Sequence, residues 1–179
     1  VGSGDVYKRQ RIQNYVPQPE LNDLRLHLYK ELNQCSWYRP TYFKLARPYI
    51  ESLVGNELAM QNRINLSIQL PNDDSSLLTI HTDLYGGETP FQIVEWIPFV
   101  DVYDTKAMFL LPPEPMREIT KRLTDFDEAG MDKVFEEVRD ELVWIEVSYG
   151  DVLIFSPNLF HGNVLNVTEE SRWSMNLSL

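Results

Sequence analysis

The chain has 179 residues, the size of one folded domain with room for a buried core. Hydrophobic residues at 43% and aromatics at 12% exclude a disordered chain. A formal net charge of -11 excludes a non-specific binder of nucleic acid or anionic membrane, because phosphate would repel it. No apolar run is long enough to span a bilayer, no charged-then-apolar leader is read, and the single cysteine, Cys35, cannot form an intrachain disulfide. A cytoplasmic protein is expected.

Leu21, Leu24, Leu28 and Leu32 recur at helical spacing and predict a helix over 20–33. Tyr42, Leu45, Tyr49, Ile50 and Leu53 predict a second over 41–54, kinked or restarted at Pro48 and stopped at Gly55-Asn56. The period then changes to two. Ile64, Leu66, Ile68 and Leu70 alternate with Asn65, Ser67 and Gln69, which predicts a strand with one apolar and one polar face. Pro71-Asn72-Asp73-Asp74 ends it as a turn. Further short strands are predicted over 77–83, 91–100, 106–111, 143–148, 151–156, 159–166 and 171–177. Two helices interrupt the series, one from Pro113 with Met116, Ile119 and Leu123, the other from about 130 with Met131, Val134, Phe135 and Val138. The acidic run Asp125, Asp127 and Glu128 between them reads as solvated surface. The expected fold is α+β, mainly β: N-terminal helices, then a closed or sandwiched antiparallel sheet with a helical insertion. A jelly roll suits the strand count best.

The chain has three histidines. His27 lies on the first helix and reads as structural. His81 and Asp83 are two residues apart near the end of a predicted strand, so both would project to one face. His161 follows the Gly150-Asp151 turn and the strand Val152-Leu153-Ile154-Phe155. Two histidines and one carboxylate form the facial ligand set that suits non-haem Fe(II), with positions left open for a 2-oxoacid and O2. A structural zinc site would want a fourth protein ligand, and Cys35 is poorly placed to supply it. By themselves these three residues fit equally well a core histidine and a turn aspartate.

Arg172, Ser174 and Asn176 alternate with Trp173 and Met175 on the last strand. A hairpin of 159–166 with 171–177 would pair His161 with Ser174 and Asn163 with Arg172, setting the guanidinium one step from the metal. There it could grip a carboxylate through two hydrogen bonds, with Ser174 adding a third. The alternative is a surface salt bridge from Arg172 to Glu169 or Glu170. Trp96 is either an aromatic beside the co-substrate or core packing. Asn65, Ser67 and Gln69 either line an internal cavity, as contacts for co-substrate or sugar, or face solvent.

Together, His81-x-Asp83, Gly150-Asp151, His161 and Arg172-x-Ser174 resemble the phytanoyl-CoA dioxygenase-like branch of the Fe(II)/2-oxoglutarate oxygenases. The run from His81 to Phe91, then Glu95-Trp96-Ile97-Pro98 and Leu110-Leu111-Pro112-Pro113, is similar more narrowly to oxygenases found sporadically in bacterial carbohydrate-biosynthesis clusters. The resemblance spans residues 60–176. It implies a double-stranded β-helix, which is a cupin-like jelly roll. It also implies iron on His81, Asp83 and His161, 2-oxoglutarate on Arg172 and Ser174, O2 as oxidant, and a sugar or glycan-biosynthesis intermediate hydroxylated at a C–H bond. The rival readings are a cupin-like metal-dependent isomerase and a non-catalytic carbohydrate-binding jelly roll. Residues 1–10 look like translated sequencing-library adapter. A single domain is therefore expected over 11–179, with the natural protein continuing past Asn176.

Overall fold

A computed structural model of the protein describes residues 3–126 and 130–179. Asp127 and Glu128 of the acidic run lie outside the described residues. Three helices open the chain: α1 (Ser3–Gln10), α2 (Leu21–Gln34) and α3 (Tyr38–Val54). Among the described residues seven short strands follow: β1 (Asn65–Gln69), β2 (Val94–Pro98), β3 (Met108–Leu110), β4 (Val143–Ile145), β5 (Leu153–Phe155), β6 (His161–Asn163) and β7 (Arg172–Ser178). Helices α4 (Pro113–Thr120) and α5 (Gly130–Val138) fill the excursion between β3 and β4.

The strands form two antiparallel sheets, one in the order β1-β7-β2-β5 and one in the order β4-β3-β6. The four-stranded sheet turns Leu66, Ile68, Ile97, Met175 and Leu177 outward, where α2 and α3 cover them with Leu21, Leu24, Leu28 and Tyr42. The three-stranded sheet is backed by α4 and α5 through Phe109, Ile119, Val134 and Val138. Between the sheets lies a third cluster, Val94, Trp96, Val102, Ala107, Met108 and Phe155. The layers thus run helices, sheet, sheet, helices. The inner face of the larger sheet is apolar over only part of its length, and β4, at the edge of the smaller one, leaves Val143 and Trp144 exposed. Among the described residues no helix is long and apolar enough to cross a membrane.

The structure departs from the sequence expectations in three places. First, residues 77–83 form no strand and keep a single bridge, His81 to His161. Side chains and turns claim the donors of this segment: the Leu78 N–H goes to Asn163 Oδ1 at 2.8 Å and the Leu77 N–H to Asp74 O at 3.1 Å. Second, β6 and β7 are not a hairpin. β6 pairs with β3, whereas β7 pairs with β1 and β2. Residues 164–171 make a broad connection, with Asn166 Nδ2 donating to Glu170 O and Thr168 N to Asn166 Oδ1, that carries the chain from one sheet to the other. Third, α3 continues through Pro48 rather than restarting there, and it buries Tyr42, Ala46 and Ile50, leaving Leu45, Tyr49 and Leu53 exposed.

Candidate metal centre and carboxylate pocket

His81 and His161 meet across the bridge. Each backbone N–H donates to the other's carbonyl, at 2.9 and 2.8 Å, and the ring centroids lie 4.3 Å apart. Each imidazole places Nδ1 against the carbonyl two residues before it: His81 on Thr79 O at 2.7 Å, His161 on Leu159 O at 2.9 Å. A carbonyl only accepts, so Nδ1 carries the proton and Nε2 keeps its lone pair. Both Nε2 atoms point at Asp83 Oδ1, 3.5 Å from His81 and 3.8 Å from His161.

Asp83 arrives by a different route from the one its spacing suggests. It opens a short 3₁₀ turn, Asp83–Gly86, after the extended Thr82. Thr82 Oγ1 donates to Pro157 O at 3.0 Å and accepts the Leu84 N–H at 3.3 Å, while the Asp83 N–H also goes to Pro157 O, at 3.2 Å. The loop after β5 therefore fixes the carboxylate, as the bridge to β6 fixes the histidines.

The ligand atoms of His81, Asp83 and His161 all lie within 4.8 Å of one another. Two neutral imidazoles and one carboxylate on one side of a cavity suit a divalent first-row metal with open positions, and the carbonyls on Nδ1 supply the outer hydrogen bonds that orient such ligands. The Asp83 carboxylate favours the protonated form of His81 and is the main influence raising its pKa, and the same pairing holds Asp83 below the usual carboxylate range. Burial dominates at His161 and pushes it down, toward the neutral form a ligand needs.

The cavity has a volume of about 820 Å³ and runs from this cluster over the inner face of the four-stranded sheet. Arg172, Ser174 and Asn176 face it from β7, with Ser67 and Asn65 beside them on β1 and Trp96 on β2. Arg172 is 3% exposed. Its Nη1 donates to Lys106 O at 3.2 Å and its Nη2 to Ser67 Oγ at 3.3 Å, and Nε has no partner among the described residues. Among the described residues it forms no ion pair. Glu170, one of the acidic partners considered for it, is bound instead by Lys106 at 2.9 Å. Burial lowers the guanidinium pKa to about 10, so it stays charged at neutral pH. A buried cation with an unpaired donor, opening on a cavity, calls for an anionic ligand.

Trp96 packs in the cluster between the sheets and also lines the cavity. The cavity does not reach Gln69. That side chain is buried, with Nε2 donating to Val164 O at 2.7 Å. His27 is exposed on α2, away from the cluster, and Cys35 is half-buried.

Other contributors are only weakly marked in the sequence. Asn163 accepts from Leu78 N and donates to Ser76 O, tying the segment before His81 to β6. Its position two residues from His161, on the same face of the strand, is the one available signal. Ser67 has only its alternation to mark it. Arg25 on α2, which lines the cavity, bonds Ile68 O and Ser76 Oγ in a way no spacing announces.

The fold, two antiparallel sheets with flanking helices, is similar to that of solved non-haem oxygenases. No protein-family model and no curated protein sequence matches the chain. Among solved structures, it is similar to the non-heme monooxygenase ThoJ in complex with nickel, at 20% identity and TM-score 0.56 over 80% of this chain. It is also similar to HygX from Streptomyces hygroscopicus with nickel and 2-oxoglutarate bound, at 13% identity and TM-score 0.61, covering 90% of this chain and 77% of HygX. A third is SnoK, a non-heme alpha ketoglutarate dependent carbocyclase from nogalamycin biosynthesis, at 18% identity and TM-score 0.54 over 76% of this chain. The chain spans about half of ThoJ and SnoK, 53% and 56% of their lengths. At these identities the likeness establishes a common fold.

Proposed function

We propose that this protein is an Fe(II)- and 2-oxoglutarate-dependent oxygenase with a double-stranded β-helix, the cupin-like jelly roll. On this reading residues 11–179 form a single cytoplasmic domain of the phytanoyl-CoA dioxygenase-like branch, near the oxygenases of carbohydrate-biosynthesis clusters. Its reaction is hydroxylation of a C–H bond in a sugar or glycan-biosynthesis intermediate. The observation that carries the proposal is the pairing, in one cavity, of a His81–Asp83–His161 cluster with a buried Arg172 whose Nε is unpartnered. The fold likeness to HygX, solved with nickel and 2-oxoglutarate bound, supports it.

The donor set fits the metal: each imidazole offers Nε2 because Nδ1 is committed to a carbonyl, and Asp83 supplies a negative oxygen. The pocket fits the co-substrate, since Arg172 can present its fork to a far carboxylate with Ser174 alongside. Asn65 and Trp96 border the same space. When bound, iron with 2-oxoglutarate and O2 supplies the oxidising power for C–H hydroxylation, with succinate and carbon dioxide as the other products. The protein's own residues orient the ligands, pin the co-substrate's distal end and keep water from the reacting face, with Met108 and Phe155 forming an apolar wall beside His161.

The decisive experiment is an anaerobic titration with Fe(II) and 2-oxoglutarate, reading the weak visible metal-to-ligand charge-transfer band in wild type and in Arg172→Ala. A band in wild type that weakens in the variant is the expected result. Folded wild-type protein without a band would remove the oxygenase reading.

A further inference from the structure

Two neutral acceptors set the direction of the Arg172 fork: Ser67 Oγ on β1 and the backbone carbonyl of Lys106. Lys106 ends a short 3₁₀ turn, Asp104–Lys106, that leads into β3. This turn is not held by backbone preference alone. Asp104 has φ +46, a left-handed conformation that costs a residue bearing a Cβ. Its internal bonds are Lys106 N to Tyr103 O at 3.0 Å and Ala107 N to Asp104 O at 2.9 Å.

What clamps the turn is a carboxylate from another part of the chain. Glu170 Oε2 accepts from Lys106 Nζ at 2.9 Å and from Tyr103 Oη at 3.0 Å, so one oxygen holds both flanks of the turn. Gln10 Nε2 donates to the same oxygen at 3.2 Å. The Lys106 side chain is fully buried, and its ammonium lies 3.8 Å from the centroid of the Tyr103 ring. Next to the turn, the Val167 N–H donates to Thr105 Oγ1 at 2.9 Å.

The connectivity closes a ring. Glu170 precedes Arg172 by two residues, the Arg172 guanidinium donates to the Lys106 carbonyl, and the Lys106 ammonium returns to the Glu170 carboxylate. Lys106 therefore holds Arg172 with its backbone and Glu170 with its side chain. A buried ammonium contributes little net stability once desolvation is counted, and its attested use is to fix one geometry among several. Here the geometry fixed is that of the carbonyl that aims the arginine.

We propose that Lys106 and Glu170 are positioning residues for Arg172: the ion pair of the buried Lys106 with the half-buried Glu170 locks the 103–107 turn so that the Lys106 carbonyl holds the guanidinium fork ready for a dicarboxylate's distal carboxylate. This rests on the reading of Arg172 as the co-substrate clamp.

The test uses Ni(II) as an oxygen-inert metal and calorimetric titration of the full chain with two chelators, 2-oxoglutarate and oxalate. Both can chelate the metal, but only 2-oxoglutarate carries a distal carboxylate. Lys106→Met and Glu170→Gln are expected to weaken 2-oxoglutarate about tenfold or more, the usual scale for an outer-shell partner, and to leave Ni(II) and oxalate affinity unchanged. Variants that bind 2-oxoglutarate as wild type does would overturn the inference. So would variants in which Ni(II), oxalate and 2-oxoglutarate weaken in step, because that is a purely structural role. Wild-type protein that takes oxalate but not 2-oxoglutarate would instead remove the co-substrate reading of Arg172. If Lys106→Met strands the Glu170 charge and fails to fold, Glu170→Gln, which keeps shape and acceptor, carries the test.

Discussion

His81 and His161 are joined by one antiparallel bridge, each donating its backbone N–H to the other's carbonyl at 2.9 and 2.8 Å. The distance between the two imidazoles is therefore written into main-chain pairing rather than left to side-chain rotamers. What lets the segment before His81 approach β6 is the residue after His161. A Cβ on Gly162 would lie 2.6 Å from Leu78 O, 2.8 Å from Phe109 Cζ and 3.0 Å from Thr79 O.

Gly162→Ala is accordingly expected to destabilise the protein by about 1–3 kcal/mol, the usual cost of overpacking. Two of the three clashing atoms are backbone and cannot rotate away. Relief must move residues 78–79, and with them Thr79 O, which holds His81 Nδ1. Ni(II) affinity should fall together with the thermal midpoint. A variant with wild-type midpoint and wild-type Ni(II) affinity would show that the close approach is not needed.

The residues of this centre are more legible in the sequence than the path that assembles them. Residue type and alternation single out His81, Asp83, His161, Arg172 and Ser174, and these line one cavity. The expected hairpin bringing Arg172 toward the metal does not form. Local patterning specifies which face a residue takes, since period two survives any choice of partner strand. It does not specify which strand lies alongside, because that depends on non-local pairing through β1, β2 and β3. The same limit explains α3. Its sequence carries apolar residues on more than one face, and only the docked sheet decides that Tyr42, Ala46 and Ile50 are the buried set. Lys106 is legible only as a cation, with nothing local to mark it as buried.

Asp83→Ala separates metal binding from folding. The carboxylate's side-chain partners among the described residues are the two candidate ligand histidines, so its loss removes a ligand and little else. Wild-type protein at a Ni(II) concentration of about 100 times Kd should gain about 2.7 kcal/mol of stability from the metal. The variant should keep the apo midpoint and lose most of that gain in a thermal melt. An equal Ni(II)-dependent shift in both proteins would sink the metal role.

Arg172→Lys tests the fork rather than the charge. An ammonium keeps the positive charge but cannot reach the Lys106 carbonyl, Ser67 Oγ and an incoming carboxylate with the geometry of a planar guanidinium. Half-saturation of the charge-transfer signal by 2-oxoglutarate should rise about tenfold or more, given the strength of paired charge-assisted bonds. An unchanged midpoint would mean that the cavity needs only a cation there.

Glu95 gives the fold a pH dependence that is separate from the site. It is fully buried on β2, and among the described residues neither carboxylate oxygen has a hydrogen-bond partner. Burial raises its pKa from 4.5 to about 8. The unfolded chain ionises this group near its ordinary value, whereas the folded chain keeps it protonated until about pH 8. Its contribution to stability is therefore fully present below about pH 4.5, is lost progressively as pH rises through the window, and levels off above about pH 8. Glu95→Gln keeps the shape and cannot ionise, so it removes that loss. Each tenfold change in proton affinity between the folded and unfolded chain is worth about 1.4 kcal/mol, and a chain of this size gains roughly 2–4 °C in its thermal midpoint per kcal/mol. The variant should match wild type at pH 5 far more nearly than at pH 8.5, where it should melt several degrees higher. Wild-type and variant midpoints that stay parallel from pH 5 to 8.5 would mean that the Glu95 carboxyl finds water or a counter-charge in solution.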